Sequence, residues 1–448
     1  MFKFVFGLLL IGAGTYRTVF HDPVWGLYLF AAFSHIRIEQ LGEEYAFPSR
    51  IPLFVACMTF VVYVFSTNYE HKFRKWPAEV WLFGIMVLGM CISSATAQFD
   101  SESSWTFTFD YIKYWVFFIL LVQMVDSDKK VEWFHWIMIL SSAWLVYRCW
   151  DLRGTTGPRF ENSNGGNIGD ANHYAAALVL LFPFVYQKTL SRDRRVALGA
   201  AILCFGMIMA VLISGSRGGL LGLGALVVLI MLGFPTQRWK IMASVIVLGV
   251  VALSLLSENQ LERFSTIIEA ADEEQRDTSA QFRIELWKLA LTLFFQNPLG
   301  IAPGEFMYYS GYMLEGRAYG TPGHVTHSLW FEMLSRGALV FIPFMLMLVR
   351  FFRKSLHLVR RYGQAGEHEM AMYVKVPMIG LGAFLVPATF LDRSVYEPIY
   401  WCIALGIAHR YIFEERARAA VELANEVQAK GVITLEERHS RNGETGRA

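Results

Sequence analysis

Charge is scarce in this chain. Lys, Arg, Asp and Glu make up 17% of its 448 residues, against about 25% in a typical soluble domain. The charge that is present comes in clumps, separated by apolar runs of about 16 to 24 residues, and about 20 such residues cross a bilayer as a helix. This excludes a soluble α/β enzyme. It also excludes an outer-membrane barrel, whose strands are about 10 residues long and alternate. Cysteine is sparse as well: Cys57, Cys91, Cys149, Cys204 and Cys402 all lie in apolar runs with no paired spacing. That argues against a disulfide framework or a metal cluster and leaves them as small buried hydrophobes. No HExxH or CxxC pattern occurs, so metal-independent chemistry is the simpler expectation and no cofactor is implied. No cytoplasmic stretch is large enough for a nucleotide-binding module, which excludes ATP-driven transport by this chain alone. The net charge of +2 gives no reason to expect a nucleic-acid partner.

What is abundant is apolar sequence: 54% of residues are hydrophobic and the mean hydropathy is +0.37. The expected fold is all-α, a polytopic membrane protein of about 12, possibly 13, spanning helices. The windows are 4–20, 24–38, 51–66, 78–97, 105–125, 131–150, 171–187, 196–214, 218–233, 239–256, 328–350, 372–391 and 396–413. Lys and Arg in short loops favour the cytoplasm. The clusters at 72–75, 129–130, 188–195, 238–240 and 350–361 then face inward, and the alternate loops face out. Four regions follow: N-terminal spans 1–256, a large outer segment 257–327, C-terminal spans 328–413 and a cytoplasmic tail 414–448. Within the outer segment, 265–274 and 281–295 read as helices, since Phe282, Leu286, Leu289 and Leu293 recur at helical spacing. A structureless outer loop of that length is unusual unless functional. The Gly- and Asn-rich loop 151–170 reads equally as a mobile gate or a connector. Residues 437–448 have little that could pack and read as disordered.

Three basic side chains lie where membrane composition does not ask for them. Arg217 follows an apolar run directly, in Ser214-Gly215-Ser216-Arg217-Gly218-Gly219. Its guanidinium is a rigid fork suited to phosphate; equally, it could snorkel to headgroups. Arg283 sits four residues before Trp287 on one helix face. The pair could meet a phosphorylated sugar, or simply pack, with Arg283 salt-bridged to Glu285 or Asp277. His327 stands at the mouth of an apolar run and can take a proton near neutral pH. Glu332, Glu305 and His324 are its candidate partners, and Asp392-Arg393 is a further charged pair near the last outer turn.

The order Ser216-Arg217-Gly218-Gly219, Arg283 with Trp287, Asn297-Pro298-Leu299-Gly300, then His327-Ser328 with Glu332 and Gly337 resembles the bacterial O-antigen ligase and polymerase superfamily, on the ligase side. Residues 165–173, ending in Ala171-Asn172-His173, resemble exosortase-associated O-glycosylation ligases. The chain departs from the pattern at Ser328, where members often have Asn, and at Ile301-Ala302-Pro303-Gly304, where a glycine-rich continuation is usual. The resemblance implies a GT-C-like glycosyltransferase in the bacterial inner membrane with its site facing the periplasm. The implied reaction is inverting transfer from an undecaprenyl-diphosphate-linked glycan to a sugar hydroxyl of lipid A–core oligosaccharide. Arg217 and Arg283 would hold the diphosphate, and His327 would act as base or position the acceptor. Ser216, Trp287, His324, Glu332, Asn172 and Arg393 are possible supporting residues. A polymerase, a protein O-glycosylation ligase and a polysaccharide or lipid transporter are the alternatives.

Overall fold

The structure, a computed structural model, describes residues 2–36, 51–69, 73–152, 170–255, 278–392 and 396–444. Among these residues there are helices and no strands. The first half comprises α1 (Phe2–Phe20), α2 (Val24–Phe33), α3 (Ile51–Phe65), α4 (Ala78–Ala95), α5 (Ser101–Met124) and α6 (Asp128–Leu152). The central group is α7 (Ala171–Thr189), α8 (Arg194–Ile213), α9 (Arg217–Gly233) and α10 (Arg238–Leu255). The outer segment contributes α11 (Thr278–Gln296) and α12 (Phe306–Met313), followed by α13 (Leu329–Ser335), α14 (Ala338–Gln364), α15 (His368–Ala388) and α16 (Pro398–Glu444).

Every expected apolar window is helical over most of its length. By length and composition, α4, α5, α8 and α15 are each able to cross a membrane, and α9 with α10 forms a bent pair equivalent to a fifth span. The protein is a multi-pass membrane protein. Two expectations need correction. The window 328–350 is not one helix: it breaks at Arg336 and Gly337, the latter at φ +91°. Residues 437–444, expected to be disordered, are helical instead, because α16 continues from the last apolar window as one 47-residue helix to Glu444. Its charged half favours straight-chain helix formers such as Glu, Arg and Ala. The helix expected over 265–274 and most of the 151–170 loop lie outside the described residues. Cysteine also departs from expectation in part: Cys149, Cys204 and Cys402 are buried, but Cys57 is exposed.

The site is positioned by the trio α7, α9 and α15, which pack on one another. Small residues set these crossings. A Cβ on Gly380 would lie 2.3 Å from the Leu180 carbonyl oxygen, and one on Gly219 would lie 2.5 Å from the Ala175 Cβ. In a membrane, where lipid is as apolar as leucine, such close backbone approach is a main source of helix association. The outer segment is fastened separately. Ile301 N donates to Ser335 O (3.0 Å) and Ala338 N to Pro298 O (2.9 Å), so the Asn297–Gly300 turn is clamped against the break between α13 and α14. Glu305 is buried, and its Oε1 accepts from the backbone N–H groups of Gln98 (2.5 Å) and Phe99 (2.6 Å). It ties the outer segment to the α4–α5 turn.

Candidate functional site

The site begins at two helix N-termini. Asp170 caps α7 by accepting from Asn172 N, and Ser216 caps α9 by accepting from Gly219 N. The two caps are joined, since Ser216 Oγ also donates to Asn172 Oδ1 at 2.8 Å. Ser216 and Asn172 therefore act as brackets that hold the N-termini of α7 and α9 together. Arg217 is the first residue of α9 and follows the Ser216 cap directly. His173, next on α7, turns its Nε2 toward Asp392 Oδ1 at 3.7 Å. Asp392 follows the end of α15. Burial opposes ionisation of Asp392, but the hydrogen bond and charge of His173 and the charge of His327 outweigh it, so the carboxyl is held below its ordinary value.

His327 faces this carboxylate from the outer segment. It is one of two non-glycine residues with positive φ among the described residues, at +48°. Histidine enters this left-handed region more readily than most residues. The strain, of order 1–3 kcal/mol, persists only where the surroundings over-determine the backbone, and here they do. Trp287 Nε1 donates to Thr326 O at 3.1 Å, Thr326 Oγ1 to Ser328 O at 3.1 Å, and Ser310 Oγ to His324 O at 2.6 Å. Burial is the main influence on the imidazole and lowers its pKa. Asp392 pulls the other way, while Arg283, His324 and His173 reinforce the lowering. The net direction is down, so His327 is neutral at pH 7 and able to accept a proton. Beside it, Ser328 Oγ is buried with no hydrogen-bond partner among the described residues.

Some sequence candidates take other roles. Trp287 is not an open sugar platform, because its ring stacks on Phe331 at 5.2 Å and 11°. With its indole N–H on Thr326 O, it props up the His327 turn. Glu332 directs Oε1 to Arg336 at 2.5 Å. Arg336 is buried and also donates to Tyr111 OH at 3.0 Å, so this carboxylate belongs to a buried ion pair under the site. Glu285 pairs with Lys288 at 2.8 Å, and Asp277 and Arg393 lie outside the described residues. His324 Nδ1 lies 2.8 Å from Glu315 Oε1 and its ring is 6.4 Å from that of His327. An Asp-x-Asp pair that the sequence reading passes over, Asp126 and Asp128, is engaged with Lys130 and Arg416 respectively. No group of three His, Cys, Asp or Glu side chains suited to a metal ion occurs among the described residues.

Asp392 and His173 were under-weighted by sequence reasoning. Their signal was an acid at the end of an apolar run and a histidine three residues after a cap. The pairing across about 220 residues of chain becomes visible only with α7 against α15.

Helices of a multi-pass membrane protein thus bring two histidines and a carboxylate together near linked helix N-termini, with Arg217 opening α9 and Arg283 near enough to His327 to act on its charge. This is a multi-pass membrane protein with a cluster of ionisable side chains at one end of its bundle. Residues 202–345 match the family model described as O-Antigen ligase. The match takes in Ser216, Arg217, Arg283, Trp287, the Asn297–Gly300 turn, His327, Glu332 and Gly337. No curated protein matches the chain.

Proposed function

We propose that this protein is an O-antigen ligase that transfers a glycan from undecaprenyl diphosphate to a sugar hydroxyl of lipid A–core oligosaccharide. Transfer occurs with inversion at the periplasmic face of the inner membrane, through about 12 spans in a GT-C-like arrangement. The observation that carries this reading is the neutral imidazole of His327, held in a left-handed backbone beside an ionised Asp392 and within the field of Arg283. A general base, a carboxylate to steady its conjugate acid and a cation for a leaving anion are what glycosyl transfer from a lipid diphosphate needs.

In the proposed reaction the acceptor oxygen attacks the anomeric carbon, and the bond from that carbon to the diphosphate oxygen breaks. The hydroxyl proton passes to His327, and Asp392 stabilises the imidazolium that forms. Negative charge grows on the diphosphate, where Arg217 and Arg283 receive it. Fixed donors aimed at developing charge are usually the largest catalytic contribution, and a guanidinium fork matches phosphate oxygens bidentately. The N-terminus of α9 adds its dipole at the same place. The unpartnered Ser328 hydroxyl is available to a substrate oxygen. No metal is required in this scheme.

The test is transfer by purified protein from defined undecaprenyl-diphosphate glycan to lipid A–core, read as a mass shift, beside a His327→Ala control. An adduct that the control lacks supports the reading. Lengthened lipid-linked glycan without a core adduct replaces it with a polymerase, and an adduct on a protein acceptor replaces it with a protein O-glycosylation ligase. Neither product, with glycolipid moved across the membrane, replaces it with a transporter.

A further inference from the structure

At the opposite end of the central helices lies a cavity of about 830 Å³ between α7, α8, α9 and α10. Tyr186 on its wall is thirteen residues along α7 from His173, which is about 20 Å at the helical rise. The cavity is therefore separate from the site described above. Its lining is graded. Phe205, Leu226, Ile230 and Val247 make apolar walls, and the polar groups gather at one end, at Thr189, Gln237 and Lys240. Lys240 is exposed and has no ion-pair partner among the described residues. The neighbouring turn carries Arg192, Arg194 and Arg195, so the polar end is basic as well.

On its outer side the cavity is closed by α10, which stands away from the body. Trp239, Ile246, Val247 and Val250 are 60% or more exposed, so the helix is apolar all round and packs on its neighbours over few residues. An all-round apolar helix belongs in lipid. A space of this size is typical of ligand pockets, and inside a bilayer it is open to hydrocarbon.

We propose that this cavity is a binding site for one anionic phospholipid of the leaflet opposite the transfer site, with its acyl chain along the α8–α9 wall and its phosphate at Lys240. A cationic mouth over an apolar channel complements a phosphate on a hydrocarbon chain, and basic clusters at a membrane surface favour anionic over zwitterionic lipids. The donor lipid is a poorer occupant. With its diphosphate at Arg217, its headgroup would sit at the wrong end of the helices.

The test uses the full chain, purified and stripped to a fixed residual lipid content, in native mass spectrometry. Phosphatidylglycerol, phosphatidylethanolamine and a polyprenyl phosphate are added separately at equal concentration. Wild-type protein is expected to retain one phosphatidylglycerol at least fivefold more than phosphatidylethanolamine. Ala243→Trp, which fills the cavity, and Lys240→Glu, which reverses the charge at its mouth, each lower that retention at least fivefold. Lys240→Glu is a surface change, so it reads the site even if the larger side chain impairs folding. Equal retention of both phospholipids, or retention unchanged in Lys240→Glu, overturns the proposal. So does preferential retention of polyprenyl phosphate, which would make the cavity a substrate-lipid site.

Discussion

Gly300→Ala should disable the protein through its scaffold. Gly300 has φ +93° and Gly337 has φ +91°, and the two face each other across the clamp. A Cβ on Gly300 would sit 2.1 Å from the Arg336 carbonyl oxygen. Backbone cannot yield as a side-chain tip can, so the turn must shift. The left-handed backbone costs a non-glycine residue about 1–3 kcal/mol. The hydrogen bonds Ile301 N to Ser335 O and Ala338 N to Pro298 O are strained or lost, at about 1 kcal/mol each. Together these come to about 3–5 kcal/mol. Gly316→Ala is the internal control, because Gly316 has φ +63° with nothing within 4 Å of its Cβ position. It therefore meets the backbone cost alone, about 1–2 kcal/mol. Thermal unfolding in detergent, followed by tryptophan fluorescence, should show Gly300→Ala melting several degrees below Gly316→Ala, at about 2–4 °C per kcal/mol for a unit of about 200 residues. Equal midpoints for the two variants would refute the clamp.

Arg217→Ala and Arg283→Ala should each cut transfer at least a hundredfold while the unfolding midpoint moves by less than about 2 °C; Arg217→Lys should recover only a small part, since a point charge does not replace the fork. The pKa of His327 is lowered and the neutral form is the base, so the acid limb of activity should lie below the range of an ordinary imidazole, with activity held at neutral pH and lost on acidification. Asp392 is the neighbour that favours the imidazolium, so Asp392→Asn should carry this acid limb to still lower pH, in the pH dependence of kcat/KM. Transfer should persist in EDTA; a loss restored by Mg²⁺ or Mn²⁺ would overturn the metal-free scheme.

The helical membrane character was readable because apolar windows of about 20 residues, repeated along one chain, match the thickness of a bilayer. The break at Arg336-Gly337 was not, because mean hydropathy is blind to one glycine at positive φ. Arg336 itself was passed over for a related reason. A cation within an apolar window is visible, but the Glu332 and Tyr111 partners that neutralise it come from its own helical turn and from a chain segment 225 residues earlier. Arg217, Arg283 and His327 could be singled out because each lies against a membrane boundary without a compositional reason. The role of Trp287 stayed open between packing and sugar contact because spacing shows that two residues share a face but not what covers it. Phe331 does. Asp392 needed the α7–α15 crossing, and Gly380, which permits that crossing, is one of 36 glycines with no local mark.

The glycines around Arg217 have a packing reason of the same kind. A cation in the first turn of a helix opposes the macrodipole, at about 0.3–1 kcal/mol, so α9 is no more stable for having it there. Gly219 lets α9 press against Ala175 on α7, while Ser216 and Asn172 fix the two N-termini edge to edge. What results is a pair of positive helix ends with a guanidinium at the start of α9. In the proposed reaction a diphosphate meets this positive potential as it arrives, and is favoured further as charge accumulates during bond cleavage. In that scheme the arrangement favours the leaving group in its most charged state, so its stabilisation falls mainly on the transition state rather than on the bound donor.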